Sequence, residues 1–302
     1  MTSVPPPPFE HPGSPPARPE LPEGVDRPPL PDRPPGSDAL PRWPVWSPFA
    51  AMLLTVVVAL VGVLAIALLA SALGVDVDPD DQPPGVTIGG TFVQDLGLIG
   101  SAVVLAWLTG GRPTPAQFGL RLPRPWPAVG WLLVAWVSFI AFSAIWAAAL
   151  GISESDDLPS ELGADESTAA LVAVAVLVCF VAPITEEFFF RGFCFTALRR
   201  AWGLIPGAIV TGLIFGGIHA GGTNVEFLGP LAVLGLLLCL LYHWTRSLIP
   251  CMILHALNNS LALGVSQDWT WEIPLLMLAA VLSVLAVAVP AARLERSGAV
   301  TA

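Results

Sequence analysis

The chain has 302 residues, of which 54% are hydrophobic and 12% charged, with a formal net charge of −10 at pH 7. The charged fraction is about half of that in soluble globular proteins, so the composition excludes a soluble enzyme over most of the length. The acidic balance argues against nucleic acid as a partner, because a nucleic-acid binder needs a basic face. These figures favour a polytopic membrane protein.

Residues 1–45 differ in composition from the rest of the chain. They contain 16 of the 32 prolines and no apolar run long enough to form a core. Such a segment is typical of a disordered tail that is partly polyproline II. It is either a ligand for a proline-binding domain or a solvated tail without a partner. The chain therefore divides into this tail and a transmembrane bundle, residues 46–302.

Apolar segments long enough to cross a bilayer, which takes about 20 residues, recur from Trp46 onward. Eight are predicted, at 47–73, 87–109, 126–151, 168–190, 204–220, 228–245, 248–265 and 273–292. The predicted fold class is all-α, a polytopic membrane bundle of about eight transmembrane helices with a disordered proline-rich tail.

The charges give an independent test of this map. All 13 basic residues are arginines, and the eight spans place every one of them on the same side, Arg191 at the end of the fourth span included. In the connections on the other side, every aspartate, glutamate, lysine or arginine is acidic, and Asp156 and Asp157 are among them. By the positive-inside rule, both termini lie in the cytoplasm of a multi-pass plasma-membrane protein embedded in lipid.

Two adjacent carboxylates, Glu186 and Glu187, follow the apolar run of the fourth span. Glu187 and Arg191 are four residues apart and share a helix face, so they can pair. Glu186 points about 100° away and has no obvious partner on its own helix. A carboxylate in this setting is a plausible general base. The alternative is a charge cluster that snorkels at the membrane edge.

The fifth and seventh spans carry the remaining polar pattern. Phe215 and His219 share one face of the fifth span, where Gly212, Gly216 and Gly217 allow close approach of another helix. His255 and Asn259 share a face of the seventh span and suit the binding of water, an ion or a carbonyl oxygen. Each group is alternatively a hydrogen-bonded contact between helices. Asp95 in the second span is a support for the site, a local clamp or a residue near the outer edge of the membrane.

Six polar residues in three spans of one half of the chain predict a single buried cavity. The pattern Glu-Glu-x-x-x-Arg, then Phe-x-x-x-His, then His-x-x-x-Asn resembles the CAAX-protease and bacteriocin-processing family of intramembrane proteases, which includes the Rce-type CAAX prenyl endopeptidases and bacterial Abi-like relatives. The resemblance covers about residues 168–264. Residues 118–121, Phe-Gly-Leu-Arg, resemble bacterial members more loosely.

The resemblance implies an intramembrane endopeptidase that acts on a protein or peptide substrate, with a cavity open to the cytoplasmic side. It implies that Glu186 activates a water molecule, aided by His219, and that Arg191 holds Glu187. His255 and Asn259 are then the groups that stabilise the oxyanion. A divalent metal, such as zinc, is a candidate cofactor, with His219, His255 and Glu186 as its ligands.

Two other functions use the same residues. A proton-coupled transporter would use them as a relay, but the polar residues lie near one side and the halves show no repeat symmetry. A non-catalytic immunity or scaffold protein would keep them for structure alone. We place the peptidase first because all six positions agree in helical geometry.

Overall fold

Eight helices follow one another in the computed structural model, which describes residues 41–78, 82–153 and 156–298, the last five of these as backbone only. Their bounds are α1 Ser47–Ala72, α2 Pro84–Gly110, α3 Pro125–Leu150, α4 Thr168–Trp202, α5 Leu204–Gly217, α6 Val225–Thr245, α7 Ile249–Ser266 and α8 Glu272–Gly298. Single helical turns at Pro115–Phe118 and Leu158–Glu161 lie in two of the connections. The predicted all-α bundle is therefore confirmed.

Seven of these helices are long and apolar enough to cross a membrane, and α5 is shorter at 14 residues. At 1.5 Å per residue, α5 spans about 21 Å, less than the roughly 30 Å of a hydrocarbon core. It nevertheless begins after Arg199 and Arg200 and leads into a turn where Asn224 hydrogen-bonds Asp156 and Asp157. These are the two sides that the sequence assigned to the ends of the fifth span.

The helices differ in how much of their surface is covered by protein. In the most apolar part of α1 only 6% of the residues are buried, whereas the figure for α7 is 56%. Helix α1 packs on α2, α5 packs on α6, and α7 packs on α8, α6 and α4. Lipid can cover an apolar helix as well as protein can, so a helix such as α1 can be almost entirely apolar and still face outward. Helix α7 is covered by protein, and it can therefore carry polar residues.

The N-terminal boundary of the bundle lies before residue 46. Residues 1–40 of the predicted tail lie outside the described residues. Trp43 belongs to the predicted tail, yet only 4% of it is exposed. Its ring lies 4.9 Å from that of Phe118 and 5.0 Å from that of Phe193. An indole in the aromatic core fixes this part of the chain to the bundle, which the proline content did not indicate.

Helix α4 contains two π-helical segments, Leu177–Val181 and Phe188–Phe195, on either side of the α-helical turn Ala182–Glu187. Pro183 explains the first segment, because proline has no N–H to continue the α-helical ladder. A π segment widens the helix locally and recurs at functional sites. The turn that carries both glutamates is thus set apart from the regular helix on each side.

Candidate active site

The two glutamates lie in the middle of α4, not at its end. The sequence placed the end of the fourth span at residue 190, directly after Phe188, Phe189 and Phe190. The helix instead continues beyond them to Trp202. Glu187 and Arg191 are both fully buried. The interpretation as a snorkelling cluster is therefore wrong, and Arg191 does not belong to the arginines at the membrane edge.

Arg191 forms a buried ion pair with Glu187. Its Nη1 donates to Glu187 Oε1 at 2.8 Å, and Nη2 donates to the Gly235 carbonyl of α6 at 3.2 Å. The guanidinium carbon also lies 4.4 Å from the ring centre of Phe215. A charge inside a membrane bundle persists only where partners of this kind replace water. Arg191 thereby joins α4, α5 and α6.

His255 connects the two glutamates. Its Nδ1 lies 2.9 Å from the same Glu187 Oε1 that binds Arg191, and its Nε2 lies 3.9 Å from Glu186 Oε2. A carboxylate paired with arginine only accepts hydrogen bonds, so His255 Nδ1 carries the hydrogen. In the neutral ring, Nε2 then keeps its lone pair and faces Glu186. The sequence anticipated the Glu187–Arg191 pair but not this contact.

Phe215 explains the Phe-x-x-x-His motif. Its ring is fully buried and packs 5.2 Å from the ring of His219 and 5.6 Å from that of His255. His219 itself lies just beyond the end of α5, where its Nδ1 bonds the Phe215 carbonyl at 2.8 Å. Phe215 thus holds Arg191 and both histidines around a single ring.

A cavity of about 390 Å³ lies next to these residues. His219, His255 and Asn259 all line it, together with mainly apolar side chains of α3, α6 and α7. Asn259 donates one hydrogen bond from Nδ2 to the Val178 carbonyl of α4 at 3.0 Å. Since a carboxamide nitrogen has two hydrogens, this bond fixes the amide and leaves the second N–H for another acceptor.

The predicted zinc ligands Glu186, His219 and His255 do not converge as a ligand set. In the described part of the chain, no group of three or more His, Cys, Asp or Glu side chains lies close enough to hold a metal ion. Both histidines instead use Nδ1 for contacts with Glu187 and the Phe215 carbonyl. The side chains as placed do not fit a structural or catalytic zinc centre, which needs three or four convergent ligands.

The cavity lies in the half of the bundle that carries the acidic connections. Ile152, Asp156, Leu158 and Thr223, from the loops that follow α3 and α5, contribute to its lining. The carboxyl of Asp156 is half-buried, and this burial raises its pKa above the usual range. The cavity and the arginine-rich connections lie at opposite ends of the bundle. The cytoplasmic cavity that the family resemblance implies is therefore incompatible with arginines on the cytoplasmic side.

Asp95 of α2 is a residue whose importance the sequence did not establish. Its side chain is 1% exposed, and α2 packs on the turn of α4 that carries both glutamates. A lone carboxylate in an apolar span was the available signal. The packing of α2 on α4 could not be read from spacing, because the two segments are far apart in sequence.

The described residues include seven helices that are able to cross a membrane, as in a multi-pass membrane protein. A buried glutamate–histidine site lies inside the bundle that they form. Residues 168–261 match the model of a protein family described as type II CAAX prenyl endopeptidase Rce1-like. This segment contains all six predicted site residues, so the resemblance that the motifs indicated is confirmed over this part of the chain.

One curated relative also matches. An Escherichia coli protein described as an uncharacterized 24.3 kDa protein is 26% identical over 152 residues, which are 47% of this chain and 70% of that protein. No solved structure matches the chain significantly.

Proposed function

We propose that this protein is an intramembrane endopeptidase that hydrolyses peptide bonds of membrane-associated or lipidated proteins. The observation that carries the proposal is the buried series Arg191, Glu187, His255 and Glu186 beside the cavity. A carboxylate that orients a histidine, with a second carboxylate at the other ring nitrogen, is a constellation suited to activating water. The match to the endopeptidase family agrees with this chemistry.

The attacking water binds between Glu186 and His255 in this proposal. The gap of 3.9 Å between Oε2 and Nε2 is too long for a direct hydrogen bond. One oxygen atom at about 2.8 Å from each can bridge them. Glu186 takes one proton from this water as general base, while the other O–H stays intact and donates a hydrogen bond to His255 Nε2. Glu187 keeps His255 in the required tautomer, and Arg191 holds the Glu187 carboxylate in place.

Hydrolysis then proceeds through a tetrahedral intermediate. The water oxygen bonds to the carbonyl carbon, and the negative charge moves to the carbonyl oxygen. The second N–H of Asn259 is suited to donating to that oxygen. Collapse of the intermediate breaks the C–N bond, and Glu186 returns its proton to the leaving amine. His219 lies at the cavity wall, where it assists proton transfer or stabilises the oxyanion.

The cavity supports the choice of substrate. Its lining is largely apolar and includes Phe139, Trp146 and Leu231, with the polar site residues at one end. An apolar lining with few oriented polar groups binds an apolar ligand in a defined direction. It therefore suits the extended apolar segment of a protein or peptide held at the bilayer. The steps proposed above use only side chains of this chain.

The test compares protein termini in membranes that contain the intact protein or Glu186→Gln at matched levels. The amide cannot accept the proton, so we expect the variant to accumulate normally and to lose every new terminus. Glu161→Gln is the matched control, because Glu161 is exposed in the loop after α3, and its termini should equal those of the intact protein. Identical profiles for all three proteins would contradict the proposal and favour a relay or scaffold.

A further inference from the structure

Asn258 of α7 is a polar side chain of the cavity that the hydrolytic mechanism does not use. It lines the cavity together with His255 and Asn259. Asn259 is fixed by its bond to the Val178 carbonyl at 3.0 Å, whereas the side-chain amide of Asn258 hydrogen-bonds no other residue that the structure describes. A carboxamide has two hydrogens to donate and an oxygen that accepts, so all of this capacity is open to a ligand.

The position of Asn258 along α7 relates it to the site of hydrolysis. Residues three apart share a helix face, so Asn258 lies on the same side of α7 as His255, about 4.5 Å further along the axis. Helix α7 ends beside the acidic loop, where Gln267 donates to Asp165 at 3.3 Å. Asn258 therefore lies between the water-activating groups and the end of the bundle where loop residues line the cavity.

The surroundings of Asn258 indicate which part of a substrate it contacts. Most of the cavity lining is apolar, so it offers few partners to peptide groups that leave water. Ser143 of α3 lines the same cavity, and its Oγ is buried and has no hydrogen-bond partner within the described residues. A hydrocarbon chain would leave both polar side chains unpaired, which is costly, whereas an extended peptide backbone offers N–H and C=O groups. The occupant that fits beside Asn258 is thus backbone.

We infer that Asn258 is a substrate-binding residue: its carboxamide donates to a backbone carbonyl and accepts from a backbone N–H of the extended segment, one turn of α7 from His255. The inference rests on the proposed function. An extended chain advances about 3.3 Å per residue, so the paired groups lie one or two residues from the cleaved bond. Because every residue except proline presents the same N–H and C=O, this contact selects an extended conformation and excludes proline, but it selects no other side chain.

The experiment uses the purified protein in detergent and a synthetic peptide that spans a Glu186-dependent cleavage site found in the comparison of termini. Asn258→Leu keeps a similar side-chain volume and removes both hydrogen bonds. Since these bonds form in the ground state and the transition state alike, we expect KM to rise about tenfold and kcat to stay within about twofold. Gln94→Leu replaces an amide at an exposed position of α2 outside the cavity, so this matched control should leave both constants unchanged.

A modified peptide separates a direct contact from an indirect one. Methylation of the backbone nitrogen one or two residues from the cleaved bond removes the N–H that donates to Asn258. At one of these positions, methylation should raise KM roughly three- to tenfold for the intact protein and less than about twofold for Asn258→Leu, which has no bond left to lose. If the leucine variant fails to accumulate, Asn258→Ala replaces it with the same expectation.

Two results overturn the inference: an unchanged KM in the Asn258 variant, or methylation that affects the variant and the intact protein equally at every position. The proposed function fails separately. It is contradicted if no terminus depends on Glu186, or if the purified Glu186→Gln variant still cleaves the peptide.

Discussion

Arg191 shows how one residue can depend entirely on its neighbours. Its charge is fully buried, and Glu187, the Gly235 carbonyl and the ring of Phe215 take the place of water. Removal of one member of a buried ion pair leaves the other charge uncompensated, which costs about 3–5 kcal/mol. The pair is therefore a condition for folding as well as for orienting His255.

We expect Arg191→Met to reduce the amount of folded protein in the membrane severely, measured as detergent-soluble monodisperse protein. Arg293→Met, at an exposed position of α8, is the control and should accumulate normally. The double variant Arg191→Met with Glu187→Leu removes both charges and should regain folded protein but not cleavage. Normal accumulation of the single variant would show that Glu187 tolerates the loss of its partner.

Asp156 gives a prediction on pH. Burial raises its pKa in the folded protein, so the fold disfavours the carboxylate relative to the neutral acid. Stability relative to an asparagine variant therefore falls as the pH rises from the ordinary aspartate value, about 3.9, through the raised pKa. Asp156→Asn should melt above the intact protein at neutral pH, and the difference should vanish in acid. A difference that is constant across the pH series contradicts this explanation.

The sequence predicted the identity of the site residues better than their contacts. Spacing of four identified the Glu187–Arg191 pair, because such residues share a helix face. The bond between His255 and Glu187 joins residues 68 apart, and the packing of α2, which carries Asp95, on the same turn of α4 is similarly remote. Neither follows from periodicity, since the packing of helices decides which faces meet.

At the scale of elements, the contact of α5 with α6 depends on glycine. A Cβ at Gly212 would lie 2.6 Å from the Ala232 carbonyl oxygen, and one at Gly216 would lie 2.6 Å from that of Leu228. Gly217 has nothing within 4 Å. The predicted close approach thus holds for Gly212 and Gly216, whereas Gly217 faces open space. This contact sets Phe215, which lies between them, against Arg191.

We expect Gly216→Ala to lower the melting temperature and the cleavage rate together, because the added methyl group separates two backbones. Overpacking of this kind costs about 1–3 kcal/mol. Gly217→Ala adds the same atom one residue further along α5 into free space, so it should match the intact protein. Equal melting temperatures for both variants would show that the helices separate without cost.

Span prediction succeeded where hydropathy alone decides and failed where polar residues interrupt it. Seven of the eight segments are helices of spanning length, with boundaries within a few residues for most. The exception is the C-terminal end of α4, which lies 12 residues beyond the predicted 190. Hydropathy treats Glu186, Glu187 and Arg191 as the edge of the lipid phase, although protein contacts bury them completely or nearly so.

For the whole molecule, the side of the membrane that the cavity faces is the question with the largest functional consequence. The positive-inside rule places the termini in the cytoplasm, and the cavity then opens towards the other face. A cytoplasmic cavity requires the reverse orientation. The four native cysteines are free and buried, so an introduced cysteine can be labelled with little background.

We expect a membrane-impermeant maleimide to label Ser3→Cys only in inside-out vesicles, in agreement with the arginine distribution. Ala262→Cys, at the cavity wall, should then be labelled only in right-side-out vesicles. Glu166→Cys, exposed in the acidic loop, is the control for that face. Labelling of Ala262→Cys and Ser3→Cys from the same side would contradict the placement of the cavity opposite the termini.

The π segments of α4 decide where this helix tolerates a change of length. A π turn closes over five residues instead of four, so loss of one residue from Leu177–Val181 can restore regular α-helix without turning the residues that follow. Loss of one residue from the α-helical turn Ala182–Glu187 would instead rotate everything after it by about 100° and draw it back by about 1.5 Å, which takes Arg191 away from Gly235 and Phe215. A deletion in the turn should therefore be far more damaging than one in the π segment, although both shorten the helix equally.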